Sequence, residues 1–319
     1  MNSNTVETVD LGKTGIKVPE MGIGAWQWGD RITWGFGRGY SSEDARGAFV
    51  TSINAGLTFI DTAELYGSGT SERLLGDFLH SEEIPGESQP LIIATKYFPF
   101  PWRFWEGALI GALQKSLKRL KLDQVDLYQI HSPMITVPVE TMAKWLARAV
   151  EEKLTRAVGV SNYNFNQTGK TFNVLAERGV PLASNQVEYS LLNRKIEKNG
   201  VFKLCQGLGV TIIAYSPLAK GVLTGKYTPE NPPPGIRGRM YSKEYLQKVQ
   251  PLIGFMREIG SDHGTKSPAQ VALNWLICKG AIPIPGAKNA RQAQENAGAV
   301  GWRLTSDEVS ALDAESDDL

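Results

Sequence analysis

Along this chain, short apolar runs alternate with longer stretches whose apolar positions recur every third or fourth residue. The short runs read as strands over residues 21–25, 57–60, 91–95, 125–130, 157–160, 183–187, 211–215 and 281–284. Helical spacing follows them over 42–55, 71–79, 108–120, 139–152, 166–178, 198–207, 268–278 and 289–299. Ser41 or Ser42 caps the first helix, with Gly56 just past its end, and Thr305-Ser-Asp-Glu308 opens a last helix as a capping box. Two segments stand outside the alternation. Residues 6–11 and 17–18 flank Gly12-Lys-Thr-Gly15 as a β-hairpin, and an insertion with Pro232, Pro233 and Pro234 carries its own helix over 244–259.

Eight strands, each with a helix behind it, predict an α/β fold of the (β/α)8 TIM-barrel class, with the N-terminal hairpin and extra helices added. No linker, charge block or repeat divides the 319 residues, so a single domain spanning 1–319 is expected. With 34 Lys and Arg against 33 Asp and Glu, the charge balance argues against a nucleic-acid groove or a membrane surface. Cys205 and Cys278, both in apolar helical surroundings, are too few for a disulfide framework and point to buried thiols in a reducing compartment. Without a membrane-length apolar run or a signal-like start, a cytoplasmic protein is expected, as monomer or weak homo-oligomer. His80, His131 and His263 are too scattered for a metal site.

In a parallel barrel the C-terminal strand ends share one face, and that face carries the chemistry. Asp61, Lys96 and His131 end three successive strands, and Tyr66 lies in the loop after the first of them. Taken singly, each has an ordinary role: a turn residue, a lysine reaching solvent, a satisfied structural histidine. Four ionisable groups on one mouth ask for more. A free tyrosine, with a pKa of about 10, is a poor acid at neutral pH. An ammonium beside it favours the phenolate, and a carboxylate balances the ammonium. Asp61, Lys96 and Tyr66 form such a chain, and His131 can orient a carbonyl oxygen. The set suits reduction of a carbonyl by hydride from a cofactor.

The run Asp61-Thr-Ala-Glu-Leu-Tyr66-Gly, with Ala94-Thr-Lys96 and Asp126-Leu-Tyr-Gln-Ile-His131, resembles the aldo-keto reductase superfamily, and the likeness extends from Leu11 to Asn296. The resemblance implies a catalytic tetrad of Asp61, Tyr66, Lys96 and His131, with Tyr66 as general acid. It also implies NADPH or NADP+ lying extended across the barrel mouth, without a Rossmann fold. Carried over by position, Gly24, Ala25, Trp26 and Asp61 would touch the cofactor, Ser161, Asn162 and Gln186 would hold its carboxamide, and Tyr215 would stack on the ring. Ser216, Pro217, Leu218, Lys220, Gly221 and Leu223 would wrap the pyrophosphate. Gly286, Lys288, Gln292, Glu295 and Asn296 would surround the adenosine, where Lys288 and Arg291 offer charge to a 2′-phosphate. Many members carry a Lys-Ser pair after the proline of the last strand. This chain has Gly286-Ala287 there, as fits the branch resembling potassium-channel β subunits and microbial and plant reductases.

Two look-alike motifs fall away. Gly67-Ser-Gly69 has Glu72 where a dinucleotide loop needs its third glycine, and Gly221-Val-Leu-Thr-Gly-Lys226 is a residue short of a P-loop and continues with Tyr227. Trp26, Trp28, Trp34, Phe98, Trp102, Phe104 and Trp105 crowd the first and third strand-to-helix loops. They predict a pocket for aldehydes or aryl carbonyls, with Trp26, Tyr66, Phe98, Trp102 and His131 against the substrate. The basic insertion around Arg237 and Arg239 is expected to fold over the cofactor, with Arg239 touching it. The expected function is NADPH-dependent reduction of aldehydes and ketones, as in aldehyde detoxification. Two alternatives stay open: a nicotinamide-binding redox sensor with slow turnover, and a lyase using Lys96 as a Schiff base, which leaves Tyr66 unexplained.

Overall fold

The computed structural model describes residues 6–81, 90–317 and 319. Thr8–Asp10 (β1) and Lys17–Pro19 (β2) pair antiparallel, Val9 opposite Val18, around a turn in which Leu11 N donates to Ile16 O. Eight parallel strands follow: β3 (Ile23–Gly24), β4 (Phe59–Asp61), β5 (Ile92–Tyr97), β6 (Val125–Ile130), β7 (Thr155–Ser161), β8 (Leu182–Glu188), β9 (Thr211–Tyr215) and β10 (Ile282–Pro283). They pair in chain order. Gly22 N donating to Pro283 O, Gly24 N donating to Pro285 O and a parallel bridge from Gly24 to Gly286 join the last strand to the first. This is the (β/α)8 barrel that the alternation predicted.

The strands read as unbroken apolar runs because both their faces are covered: β5 is buried at every residue. The helices are one-sided instead. Val139–Glu151 buries Met142, Trp145, Leu146 and Ala149 while Lys144 and Arg148 face water. Among the described residues, reciprocal capping boxes start four of them, Ser41 with Asp44, Asn164 with Gln167, Ser267 with Gln270 and Thr305 with Glu308, each cap contributing about 1 kcal/mol. The expected helix over 198–207 is two pieces, Lys195–Lys198 and Val201–Leu208. Gly200, at φ 83°, breaks it, and Asn199 Oδ1 accepts from Val201 N at the restart.

Leu11, Ile16 and Val18 of the hairpin pack with Phe59, Ile92, Leu127, Ile213 and Ile282 in an apolar cluster separate from the main core. Phe59, Ile92 and Ile282 open their strands, so the hairpin closes the barrel floor and leaves the opposite mouth free. Two strand ends differ from expectation in a way that matters at that mouth. β4 includes Asp61, and β5 runs past Lys96 to Tyr97, so both charged residues belong to the barrel wall itself. Among the described residues, no helix is long and apolar enough to cross a membrane.

Candidate active site

Asp61 ends β4, Lys96 sits in β5 and His131 follows β6, so three neighbouring strands deliver them to the mouth. Tyr66 opens a 3-10 turn, Tyr66–Gly69, in which Gly67, Ser68 and Gly69 all adopt left-handed backbone angles. A Cβ on Gly67 would stand 2.5 Å from Gly29 O, so this turn packs backbone to backbone against the first loop. The Thr62 and Ser71 hydroxyls bond at 2.9 Å, and Ser71 Oγ donates to Ala25 O at 2.9 Å, which fastens the base of the turn.

Lys96 is wholly buried, and its Nζ donates to Asp61 Oδ2, to Thr62 O at 2.9 Å and to Tyr66 Oη at 3.3 Å. An ammonium has three protons, and all are used. Asp61 Oδ1 accepts from Gln186 Nε2 at 2.8 Å and from Gln129 Nε2 at 3.1 Å. The ring of His131 meets the Tyr66 ring edge-on at 5.6 Å, and its buried Nδ1 has no partner among the described residues.

Burial pushes the pKa of Tyr66 up, and the Lys96 charge works against it without prevailing. Lys96 thus acts in the direction expected of it, but the phenol still keeps its proton at neutral pH. On Lys96 itself burial acts downward, and Asp61 and Tyr66 together outweigh it, so the ammonium is retained. His131 is pulled down to about 3, by burial first and then by Lys96, and its imidazole is neutral. The mouth therefore presents a neutral phenol beside a fixed ammonium, with a neutral imidazole at its edge. Such a set can give a proton to an oxygen and hold the phenolate that remains.

Asp61, Tyr66 and His131 line a cleft of about 780 Å³, with Lys96 buried behind them. Every residue expected to touch the cofactor lines it except Ala25, Leu223 and Arg239. Ala25 is buried in the barrel wall with its N donating to Asp61 O, and Leu223 points from the turn Ala219–Thr224 into the core. Arg239 is exposed, and Arg237 enters the cleft in its stead. Arg237 is 8 % exposed, its Nη1 donates to Lys220 O at 3.2 Å, and its guanidinium lies over Trp34. Both arginines share the 3-10 turn Gly235–Arg239, where side chains two apart diverge by about 120°.

Of the aromatic residues, Trp26 and Trp34 line the cleft. Phe98 and Trp102, expected against the substrate, do not. Phe98 meets the His131 ring edge-on at 5.6 Å. Trp102 is 63 % exposed and stacked on Phe100, which also meets Phe98 and lies under Arg103, itself tied to Glu64. Trp28 is fully buried, donating from Nε1 to Ala287 O at 2.9 Å, and Phe104 and Trp105 face solvent. Sequence reasoning misses Gln27, Asp30, Lys226 and Gln129. Gln129 carried a signal, an amide inside the apolar strand 125–130, whereas Gln27 and Asp30 sit in an aperiodic glycine-rich loop.

The far end of the cleft is cationic. Lys288 Nζ donates to Trp34 O at 2.6 Å and lies 4.5 Å from the Tyr40 ring centre. Burial, with the charges of Arg237 and Lys226, pulls its pKa down to about 8. Lys226, Arg237 and Lys288 all line the cleft, and among the described residues none of them has a carboxylate within ion-pair distance. Cations gathered in one place and not drawn into ion pairs fit an anionic ligand such as a phosphate. A Cβ on Gly286 would fall 1.9 Å from Gln27 Oε1, so the wall here tolerates only glycine while Gln27 stays where it is. No group of three or more His, Cys, Asp or Glu able to hold a metal ion occurs among the described residues.

Comparison with known proteins agrees with this geometry. The model of the Aldo/keto reductase family matches residues 20–317. The chain is 40% identical over 306 residues to the chloroplastic pyridoxal reductase of Arabidopsis thaliana, covering 93% of this chain and 83% of that protein. It is 32% identical over 292 residues to the aldo-keto reductase yakc (NADP(+)) of Schizosaccharomyces pombe, covering 86% and 83%. Among solved structures it is similar to a glycerol dehydrogenase from Gluconobacter oxydans, with a TM-score of 0.82 and 25% identity over 99% of this chain and 95% of that one.

Proposed function

The chain belongs to the aldo/keto reductase family, and we propose that it reduces aldehydes to alcohols with NADPH, flat aromatic aldehydes above all. The observation that carries this reading is Tyr66, a protonated phenol with Lys96 Nζ at 3.3 Å and a neutral imidazole at its edge, facing an open cleft. When bound, the nicotinamide supplies a hydride to the carbonyl carbon. Tyr66 gives its proton to the carbonyl oxygen as negative charge develops there. The ammonium of Lys96 holds the resulting phenolate, and Asp61 balances the ammonium. His131 offers a ring N–H that fixes the carbonyl oxygen in front of Tyr66.

The residues that would hold the cofactor fit it chemically. Ser161, Asn162 and Gln186 offer hydroxyl and amide groups for a carboxamide, and Tyr215, whose Oη donates to Asn162 Oδ1 at 2.9 Å, offers a flat face. The positive charges of Lys226, Arg237 and Lys288 favour the ligand with the extra phosphate, NADPH over NADH. The yeast relative carries NADP(+) in its name. For the substrate, Trp26 stacks on Tyr66 at 6.1 Å and 28°, and Trp34 meets Trp26 edge-on at 5.6 Å. A flat ring bearing the aldehyde would extend that stack. The plant relative is named for pyridoxal, an aldehyde of this kind.

The test follows NADPH oxidation with pyridoxal, benzaldehyde and a short aliphatic aldehyde, in wild type and Tyr66→Phe. Turnover is expected with the aromatic members, and a roughly hundred- to ten-thousandfold loss in Tyr66→Phe with NADPH still bound. A fully active Tyr66→Phe protein overturns the acid assignment. A wild type that does not bind NADPH overturns the whole reading.

A further inference from the structure

We propose that Gln129 is a positioning residue of this site: it keeps hold of Asp61 when Gln186 turns to the cofactor, so cofactor affinity depends on a side chain outside the cleft. The inference rests on the proposed NADPH reading. Asp61 is buried, with Oδ2 committed to Lys96 and Oδ1 accepting two amide N–H groups, from Gln129 and from Gln186. The two glutamines differ in what else they face. Gln186 lines the cleft and Gln129 does not.

Gln186 Nε2 donates to Asp61 Oδ1 at 2.8 Å and to Gln129 Oε1 at 3.3 Å. Those are the only two protons an amide nitrogen has. A ligand that takes a hydrogen bond from this nitrogen must therefore draw it from Asp61 or from Gln129. Gln129 stays behind in either case, because the barrel itself holds it. In the strand register it lies between Lys96 of β5 and Gly159 of β7. A Cβ on Gly159 would come within 3.2 Å of Gln129 Cγ and 2.4 Å of Ser184 Oγ, so the glycine clears the space in which the Gln129 side chain reaches Asp61. Where the ligand draws on the Asp61 bond, because the Gln186 amide turns as a unit toward the cleft, a chain without Gln129 leaves Asp61 Oδ1 with no amide donor, a costly state.

The experiment measures NADPH dissociation constants by quenching of tryptophan fluorescence for wild type, Gln129→Met, Gln129→Glu, Gln186→Met and the Gln129→Met/Gln186→Met pair, with unfolding curves for each. Gln129→Met, matched in shape, is expected to weaken NADPH about tenfold. Gln129→Glu, whose carboxyl beside Asp61 keeps its proton and so remains a donor, restores most of that loss. In the pair, the two losses are not additive. An affinity unchanged in Gln129→Met overturns the inference, as does equal weakening in Gln129→Met and Gln129→Glu, which would make the residue a space-filler. Should Gln129→Met not fold, Gln129→Asn, polar but too short to reach Asp61, takes its place with the same expected weakening. A wild type without NADPH affinity takes this inference down together with the proposed function, whereas a binding wild type with an equal Gln129→Met sinks it alone.

Discussion

The guanidinium of Arg237 lies 4.9 Å over the indole of Trp34. The carbonyl of the same tryptophan accepts from Lys288 Nζ, so the first loop and the Pro-rich insertion meet across the cleft with one aromatic residue between two cations. Trp34 stands between the two charges without neutralising either, and a cation over an indole face is favoured by the ring quadrupole. The charges are thus held in place before any ligand arrives.

Arg237→Ala is accordingly expected to weaken NADPH about tenfold, the scale of one hydrogen bond to a charged group. The loss should shrink as salt is raised, because part of it is Coulombic. Arg239→Ala should leave the affinity within about twofold of wild type, the normal result at an exposed side chain. Titration of the two variants at low and high salt decides between them. The reverse order of effects would mean that the turn Gly235–Arg239 presents its other face to the ligand.

Lys288 gives the binding step a pH dependence. Its pKa is lowered from 10.5 to about 8, so its charge is present below pH 8 and is lost as the pH rises through that value. A phosphate binds the charged form. NADPH should therefore bind less tightly at pH 9 than at pH 7, and near pH 8 binding should take up protons. Calorimetry in buffers of different ionisation heats measures the uptake. Lys288→Met should abolish it, and an uptake that survives the substitution would place the titrating group elsewhere.

His131 predicts an absence. With its pKa pulled down to about 3, the imidazole stays neutral throughout the range in which a free histidine, near about 6.5, would titrate. The pH profile of kcat/KM for aldehyde reduction should run through that region without a break. The same shift has a stability consequence of definite sign. Below about pH 6.5 the unfolded chain takes a proton that the folded imidazole refuses, so stability is lost progressively as the pH falls toward 3. A break near 6.5 that disappears in His131→Asn would contradict the neutral assignment.

Glu72 tests the support beneath the tetrad. It is wholly buried, accepting from Thr95 Oγ1 at 2.6 Å and from Arg119 Nε at 2.6 Å, and Arg119 packs against Gly69 of the Tyr66 turn. Glu72→Ala leaves both donors without their acceptor. The expected cost is about 3 kcal/mol, read as a lower urea midpoint with an unchanged slope. Glu72→Met paired with Arg119→Met should recover part of that loss. Equal stability of Glu72→Ala and wild type would show that solvent reaches Arg119 well enough to replace the carboxylate.

How much of this was legible without coordinates follows from range. Eight strands, the hairpin, the cap at Thr305 and the positions of Asp61, Lys96 and His131 at strand ends are all local properties. A strand or helix period shows within a few residues, and barrel topology then brings successive strand ends together without further information. That is why the four ionisable groups could be placed on one mouth from the chain alone.

The tertiary structure alone decided the rest. It turned Arg237 inward and Arg239 outward, sent Trp102 to solvent, and set Gln129 against Asp61. The partners responsible are distant in sequence: Lys288 and Trp34 are 254 positions apart, Gln186 and Asp61 125. No local period encodes a contact of that separation. The direction of the Tyr66 pKa belongs to the same class, because a sequence names the lysine beside the phenol but not the burial that outweighs it.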